Sequence, residues 1–185
     1  MTTKKKVKPS DVGIVDNWLE LEDFIKLTAL FKDPDCPWYR SEGISDLEGT
    51  MDLINPLDNY MFAHMVYNMH QPQSSYWTET FKILHKAMKK SLGHDYRCIQ
   101  RVKVNLYPRT AQVQTHPFHT DTTEVQGQRG LLLCFNTCDG YTGFADGTEV
   151  DSIENRAIFF DSTERHHSTS CSNASYRMNM NVNYV

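Results

Sequence analysis

The stretch from Tyr176 to Tyr184 restricts the fold of this chain more than any other part of the sequence. Apolar and polar residues alternate there without interruption. Successive side chains of a β-strand point to opposite faces of a sheet, so the stretch predicts a strand with one apolar and one polar face. Alternation alone leaves open whether the polar face meets solvent or a polar interior. The apolar row is Tyr176, Met178, Met180, Val182 and Tyr184, and the polar row is Arg177, Asn179, Asn181 and Asn183.

Further strands are predicted throughout the second half of the chain. Residues 101–107 alternate in the same way, and residues 131–135 and 156–160 are short apolar runs typical of buried strands. The pairs Asp139-Gly140 and Asp146-Gly147 predict hairpin turns. In the first half, the apolar and aromatic stretch 60–68 predicts another strand.

Two helices are predicted before most of these strands. Apolar residues at helical spacing indicate one helix from about Glu20 to Lys32. A second helix begins after Ser74 or Ser75, carries an apolar stripe and ends at Gly93; the stripe is Trp77, Phe81, Leu84 and Met88. Short strands with frequent turns, preceded by two helices, predict an antiparallel barrel or jelly roll, mainly β, with the helices packed outside.

Length and charge restrict the function classes. A chain of 185 residues predicts one domain, here 14–185, after a flexible basic tail over 1–13. The net charge of -4 gives no electrostatic footprint for nucleic acid. No apolar stretch is long enough to span a membrane, and no secretory signal is evident, so a cytoplasmic protein is expected. Five cysteines at irregular spacing predict no disulfide framework, and Cys134 and Cys138 are interpreted as buried thiols rather than a zinc or redox pair.

One motif carries metal-binding chemistry. In an extended segment His119 and Asp121 point to the same side, so an imidazole and a carboxylate are presented together. His116 also lies close, but only His119 has the i, i+2 relation to Asp121. A third ligand is available downstream from His166 or His167, which would point to opposite faces of a strand. Two histidines and one carboxylate are the ligand set of non-haem Fe(II) oxygenases.

The combination of these motifs resembles the 2-oxoglutarate/Fe(II)-dependent dioxygenases. More narrowly, it is similar to the small prolyl-hydroxylase-like members found in bacteria and their phages. The resemblance covers about residues 98–185 well and 14–70 only loosely. It is carried by NLYP at 105–108, HTD at 119–121, NRAIFFD at 155–161, a histidine six residues beyond Phe160, and an arginine eleven residues beyond that histidine.

The resemblance implies a role for each site residue. It implies His119, Asp121 and His166 as the metal ligands and catalytic centre, with His166 preferred to His167. It implies a double-stranded β-helix, or cupin-like, core in which Arg177 faces the interior and binds the distal carboxylate of 2-oxoglutarate. Tyr107 is similar to a tyrosine that hydrogen-bonds the same carboxylate. Many members carry Ser or Thr where this chain has Asn179, so Asn179 departs from the pattern at a secondary contact.

The activity implied is hydroxylation of a C–H bond with release of succinate and CO2. Fe(II), the co-substrate 2-oxoglutarate and O2 would be required, with ascorbate as a candidate reductant. The expected primary substrate is a peptidyl proline, contacted by the loops 109–115 and 122–129. A free amino acid, a small metabolite or a nucleic acid are the alternatives within the same chemistry. The alternative from another class is a metal-holding jelly roll that only binds, which would have no use for Arg177.

Overall fold

A computed structural model describes residues 12–44, 59–121 and 127–185. Helix α1 is Leu21–Lys32 and helix α2 is Trp77–Leu92. Gly93 ends α2 with a positive φ of 60°, a conformation that glycine adopts without steric cost, and its N–H donates to the carbonyl of Lys89. A short 3-10 turn, Gly93–Asp95, follows. Both helices begin and end close to the predicted residues. The predicted tail lies outside the described residues, apart from its last two positions.

Eleven strands make up the rest of the regular structure in the described part of the chain. They are β1 (Gly13–Val15), β2 (Tyr39–Glu42), β3 (Tyr60–Asn68), β4 (Gln71–Pro72), β5 (Ile99–Pro108), β6 (Arg129–Cys134), β7 (Tyr141–Phe144), β8 (Glu149–Asp151), β9 (Ala157–Asp161), β10 (His166–Ser168) and β11 (Tyr176–Tyr184).

The strands form two antiparallel sheets. The larger sheet has the order β1-β9-β6-β11-β5-β3-β2, with β4 paired to β3, and the smaller has the order β10-β7-β8. Strand β11 lies between β5 and β6, with Arg177 opposite Tyr107 and Asn181 opposite both Lys103 and Leu132. The alternating stretch at 176–184 is therefore a central strand of the larger sheet.

The two helices cover one face of the larger sheet. The apolar row of β11 packs there against both helices, and Leu27 and Phe31 of α1 and Leu84 and Met88 of α2 are buried in the same cluster. Burying this surface is the main favourable contribution to folding. The prediction of a mainly β fold with two helices packed outside is confirmed.

The opposite face of the larger sheet is turned toward the smaller sheet. A second apolar cluster joins the two sheets at one side and consists of Leu132, Cys134, Phe144, Val150, Ile158 and Phe160. Beside it lie the polar rows of β5 and β11. Arg177 and Asn179 are both almost completely buried, so the polar row of β11 meets a polar interior and not solvent.

Three predictions needed correction, and strands were also missed. The buried face of α2 is rotated from the predicted stripe, because Phe81 is 36% exposed whereas Thr80, Ile83 and Ala87 are buried. Asp146-Gly147 forms the β7–β8 hairpin, but Asp139-Gly140 joins strands of two different sheets. Strand β1 was not predicted. The segment around His119 is not a regular strand and makes only isolated bridges, at Thr115 and His119.

The cysteines are free thiols, as predicted, and four of the five are buried. Within the described ranges, no helix combines the length and apolarity that crossing a membrane requires.

Candidate metal centre and cavity

The structure brings His119, Asp121 and His166 together. One ligand atom from each residue lies within 4.8 Å of the others. His119 and His166 are held by reciprocal backbone bonds, in which each N–H donates to the other's carbonyl at 2.8 and 2.9 Å. The Asp121 N–H donates to the carbonyl of Ser162 at 3.0 Å. The irregular segment is thus fixed to β10 and to the turn before it.

A local hydrogen bond orients the ring of His166 toward Asp121. Its Nδ1 lies 2.9 Å from the carbonyl of Glu164, which leaves Nε2 free and pointing toward Asp121, whose Oδ1 is 4.0 Å away. A backbone carbonyl bound to one ring nitrogen is the usual way of aiming the other nitrogen at a metal. Burial and the neighbouring His166 lower the pKa of His119 to about 4, so that imidazole is neutral at neutral pH, as a ligand must be.

Asp121 is surrounded by donors. Arg101 Nη2 donates to Oδ1 at 3.1 Å, Asn181 Nδ2 donates to both oxygens, and Asn183 Nδ2 donates to Oδ2 at 3.0 Å. Burial alone would raise the pKa of Asp121, but Arg101, His166 and the two amides hold it below its ordinary value. The carboxylate is therefore ionised and fixed in position.

Two other histidines lie near the group without joining it. His116 is buried, stacks on Tyr107 with ring centroids 5.3 Å apart, and binds Ser168 Oγ through Nδ1 at 2.8 Å. His167 contacts Phe118 and Tyr141, and its ring lies directly against Gly143, where no Cβ would fit. Of the histidines near Asp121, the geometry groups His119 and His166 with it.

A cavity of about 150 Å³ opens beside His119, Asp121 and His166, between the two sheets. Its walls come from the polar rows of β5 and β11, from β7 and β10, and from apolar residues of β6 and β9. The residues that matter for its chemistry are Arg101, Lys103, Asn105, Tyr107, His119, Asp121, Thr142, His166, Ser168, Asn179 and Asn181.

Arg177 lies behind one wall of this cavity. Its Nη1 donates to the carbonyl of Thr169 at 3.1 Å and its Nη2 to Thr142 Oγ1 at 2.8 Å, while its Nε has no partner. The guanidinium is 5.7 Å from the centre of the Tyr107 ring. No carboxylate pairs with Arg177 among the described residues, although its side chain is completely buried. A buried cation without a counter-ion is costly, so the surroundings favour a bound anion.

Tyr107 and Asn179 both line the cavity. Burial raises the pKa of Tyr107, although Arg177 and Ser168 act in the opposite direction, so its hydroxyl stays protonated and can donate. Asn179 Oδ1 accepts from Asn105 Nδ2 at 3.1 Å. Asn179 Nδ2 and Asn105 Oδ1 are buried without partners. The cavity therefore offers several unused donors and acceptors.

Sequence reasoning missed Thr142 and the three donors to Asp121. Asn181 and Asn183 were assigned to the polar row of β11, and Arg101 to that of β5, but no local pattern tied them to Asp121. The signal was available in part, since residues directly opposite each other on paired strands face the same side of the sheet, although the register itself was not known from sequence. Thr142 had no such signal, because its position depends on how the smaller sheet is placed.

No family model and no curated protein sequence matches the chain. Solved structures do match it. A 2-oxoglutarate/Fe(II) oxygenase family protein from Burkholderia pseudomallei superposes with a TM-score of 0.67 at 10% identity, covering 94% of this chain and 84% of that one. A Pseudomonas putida prolyl-4-hydroxylase gives 0.60 at 14% identity, covering 94% and 91%.

A third match is a prolyl hydroxylase from Trichoplax adhaerens, solved in complex with a hypoxia inducible factor oxygen degradation domain peptide fragment. Its TM-score is 0.61 at 15% identity, with 94% of this chain and 82% of that chain covered. Identities this low bear on the fold and not on the substrate. The chain has the fold of the 2-oxoglutarate/Fe(II) oxygenases, prolyl hydroxylases among them, and the predicted fold class is confirmed.

Proposed function

We propose that this protein is a dioxygenase that uses Fe(II) and 2-oxoglutarate to hydroxylate a C–H bond. The observation that carries the proposal is the pairing of two features across one cavity. His119, Asp121 and His166 converge on one side, and Arg177, a buried cation with no carboxylate partner among the described residues, lies behind the wall of the other. A metal-binding domain without catalysis would need the first feature but not the second.

The three ligands would hold Fe(II) with an open side toward the cavity. Two imidazoles and one carboxylate would supply part of the metal's ligands and leave positions for co-substrate and O2. Arg101, Asn181 and Asn183 would keep the Asp121 carboxylate aimed at the metal, since donors behind a ligand fix its orientation.

Arg177 would bind the distal carboxylate of 2-oxoglutarate. Its planar guanidinium matches a carboxylate, and Tyr107 and Thr142 stand between it and the cavity with hydroxyls able to donate to the same group. The unpartnered Nδ2 of Asn179 supports a secondary contact with the co-substrate. Thr142 Oγ1 accepts a hydrogen bond from Arg177, so its own O–H is available to donate to a carboxylate in the cavity.

When bound together, the metal, 2-oxoglutarate and O2 supply the oxidising chemistry, and succinate and CO2 are released. The chain's own residues orient the co-substrate and keep the reacting groups away from bulk water. Phe160 and Leu132 provide an apolar wall beside the ligands, which suits a reaction at a C–H bond.

A peptidyl proline is the primary substrate we propose from the resemblance. The Trichoplax prolyl hydroxylase of similar fold was solved with a peptide, which supports a peptide as the class of substrate. A free amino acid, a small metabolite and a nucleic acid use the same chemistry and would be tested alongside.

The proposal is tested by anaerobic addition of Fe(II) and then 2-oxoglutarate to metal-free protein. The wild type is expected to develop the weak visible charge-transfer band of the iron–keto acid chelate. His119→Ala should abolish the band, and Arg177→Met should raise the concentration of 2-oxoglutarate needed for half of it by about tenfold or more, since the lost bonds involve two charged groups.

Arg97→Met is the matched control, because Arg97 is an exposed arginine outside the cavity. It should leave the band unchanged. Absence of the band in the wild type, with zinc bound instead, would overturn the oxygenase proposal and favour a metal-stabilised binding domain.

A further inference from the structure

Lys103 places a positive charge inside the cavity, in addition to that of Arg101. It lies two residues from Arg101 on β5, so the two side chains share one face of the strand, and both line the cavity. Lys103 pairs in register with Asn181, which donates to Asp121. The lysine therefore lies at the level of the metal ligands and not at the level of Arg177.

Lys103 has no partner in the part of the chain that the structure describes. Arg101 donates to Asp121, but no hydrogen bond or ion pair involves the Lys103 ammonium. Burial and the nearby Arg101 lower the pKa of Lys103 to about 8, which leaves it mostly charged at neutral pH. Lys103 is partly exposed, so its ammonium is accessible from the cavity, where an anionic group can reach it.

The charges of the loaded site do not balance. Arg101 and Lys103 line the cavity and Arg177 lies behind its wall, whereas Asp121 is the one carboxylate among the described lining residues. Fe(II) and doubly charged 2-oxoglutarate cancel each other. The co-substrate thus leaves an excess of positive charge, and Lys103, unlike Arg101, has no carboxylate within ion-pair distance among the described residues.

We propose that the primary substrate carries a carboxylate, and that Lys103 binds it beside the metal. This inference rests on the proposed function and specifies its substrate class. It favours a free amino or organic acid, or a peptide with an acidic group next to the oxidised residue, over an uncharged peptide segment. The distal carboxylate of 2-oxoglutarate would lie near Arg177, which is four residues and about 13 Å along the paired strands from Lys103.

The test uses small acids and their amides as matched probes. The full-length protein is loaded with Mn(II) and 2-oxoglutarate without O2, and titrated in a calorimeter with acetate and acetamide, benzoate and benzamide, and L-proline and L-prolinamide. In the wild type, the acid of at least one pair should bind about tenfold more tightly than its amide. Lys103→Met, which removes the charge at similar volume, should reduce that preference to less than twofold.

Two variants serve as controls. Lys103→Arg keeps the charge and should retain most of the preference. Lys89→Met makes the same chemical change at an exposed position on α2 and should retain all of it. The affinity for 2-oxoglutarate, measured in every variant, should change by less than about twofold.

Three results would overturn the inference. One is a wild type that prefers no acid over its amide, and another is a preference that survives in Lys103→Met. The third is a loss of 2-oxoglutarate affinity in Lys103→Met with the acid preference unchanged, which would assign the ammonium to the co-substrate. A wild type that binds no 2-oxoglutarate at all would instead overturn the proposed function, and this inference with it.

Discussion

The two faces of strand β11 are equally buried and have opposite effects on stability. Met180 on the apolar face and Arg177 on the polar face both have an exposed fraction of 0%. Met180 packs among the helices, in the main core. Arg177 lies toward the cavity, and its Nε has no partner. Burial on the first face stabilises the fold, while burial on the second is unfavourable until something binds.

The unpartnered atoms show how the polar face differs. Asn105 Oδ1, Asn179 Nδ2, Asn181 Oδ1 and Arg177 Nε are buried without hydrogen bonds, and all four belong to the polar rows of β5 and β11. Each such atom typically costs about 1–3 kcal/mol. A sheet selected for stability alone would carry apolar side chains there. The polar face is thus organised for ligands, and the apolar face holds the sheet in place.

The largest effect should come from the apolar face. Met180→Ala is expected to lower the free energy of unfolding by about 2–5 kcal/mol, because a fully buried side chain is replaced by a cavity. Denaturant unfolding measures this change. Met69→Ala, at a position that is 81% exposed, is the matched control and should change little. A small loss of unfolding free energy in Met180→Ala would contradict the inference that the helices are held by their packing on β11.

The buried histidines beside the cavity should make the stability of the protein depend on pH. Burial lowers the pKa of His116 to about 3 and that of His119 to about 4, so the unfolded chain binds more protons between those values and about 6.5. The two neutral histidines make their full contribution to the free energy of unfolding above about pH 6.5. That contribution is lost as the pH falls. Between pH 8 and pH 5, the metal-free protein should lose about 2 kcal/mol for each histidine.

Unfolding curves at several pH values test this expectation. His116→Asn should show a shallower loss of stability toward acid, while His94→Asn, at an exposed histidine, should follow the wild type. Identical slopes for His116→Asn and the wild type would contradict the assignment.

A third prediction concerns the donors behind Asp121. Asn183→Ala should weaken metal binding by about tenfold, because Asp121 Oδ2 loses a 3.0 Å hydrogen bond that fixes its orientation. Competition with a chelator measures the affinity. The stability of the metal-free protein should change far less than in Met180→Ala. Asn173→Ala, on an exposed loop, provides the comparison and should bind metal as the wild type does.

The smallest effect on stability is expected for Arg177, although it is the largest of the fully buried side chains. Arg177→Met should change the unfolding free energy of the ligand-free protein by less than about 1 kcal/mol, because removal of an uncompensated charge offsets the two lost hydrogen bonds. The same variant weakens 2-oxoglutarate binding, as proposed above. A loss of stability as large as that of Met180→Ala would make Arg177 a structural residue and remove the contrast between the two faces.

Much of the fold followed from local patterns. Strand β3 was predicted at its observed bounds, and α1 and β11 within about one residue, because period and end signals are local properties of sequence. The fold class followed from the order of these elements and from the resemblance. Strand β1 was missed since three residues carry too little pattern, and its partner β9 lies far along the chain.

Site residues could be predicted only where they belong to short sequence motifs. His119, Asp121 and His166 were identified as a set, and the structure brings them together. Their roles, and those of Arg177, Tyr107 and Asn179, stay predictions. Arg101 and Thr142 were missed because their contacts depend on strand register and on the placement of the smaller sheet. Lys103 was passed over as one polar residue of an alternating strand, and only the structure shows that it lines the cavity.

The central place of β11 also governs the order in which the molecule can form. Strands β5, β3 and β2 lie on one side of it and β6, β9 and β1 on the other, so the two halves of the larger sheet are joined only through β11. It is the last described strand to leave the ribosome. Before then neither half has its partner edge, and folding must await contacts that are distant in sequence, which slows it. A growing chain would therefore leave the edges of β5 and β6 unpaired, and Asp121 without the amides of Asn181 and Asn183, until synthesis has passed β11.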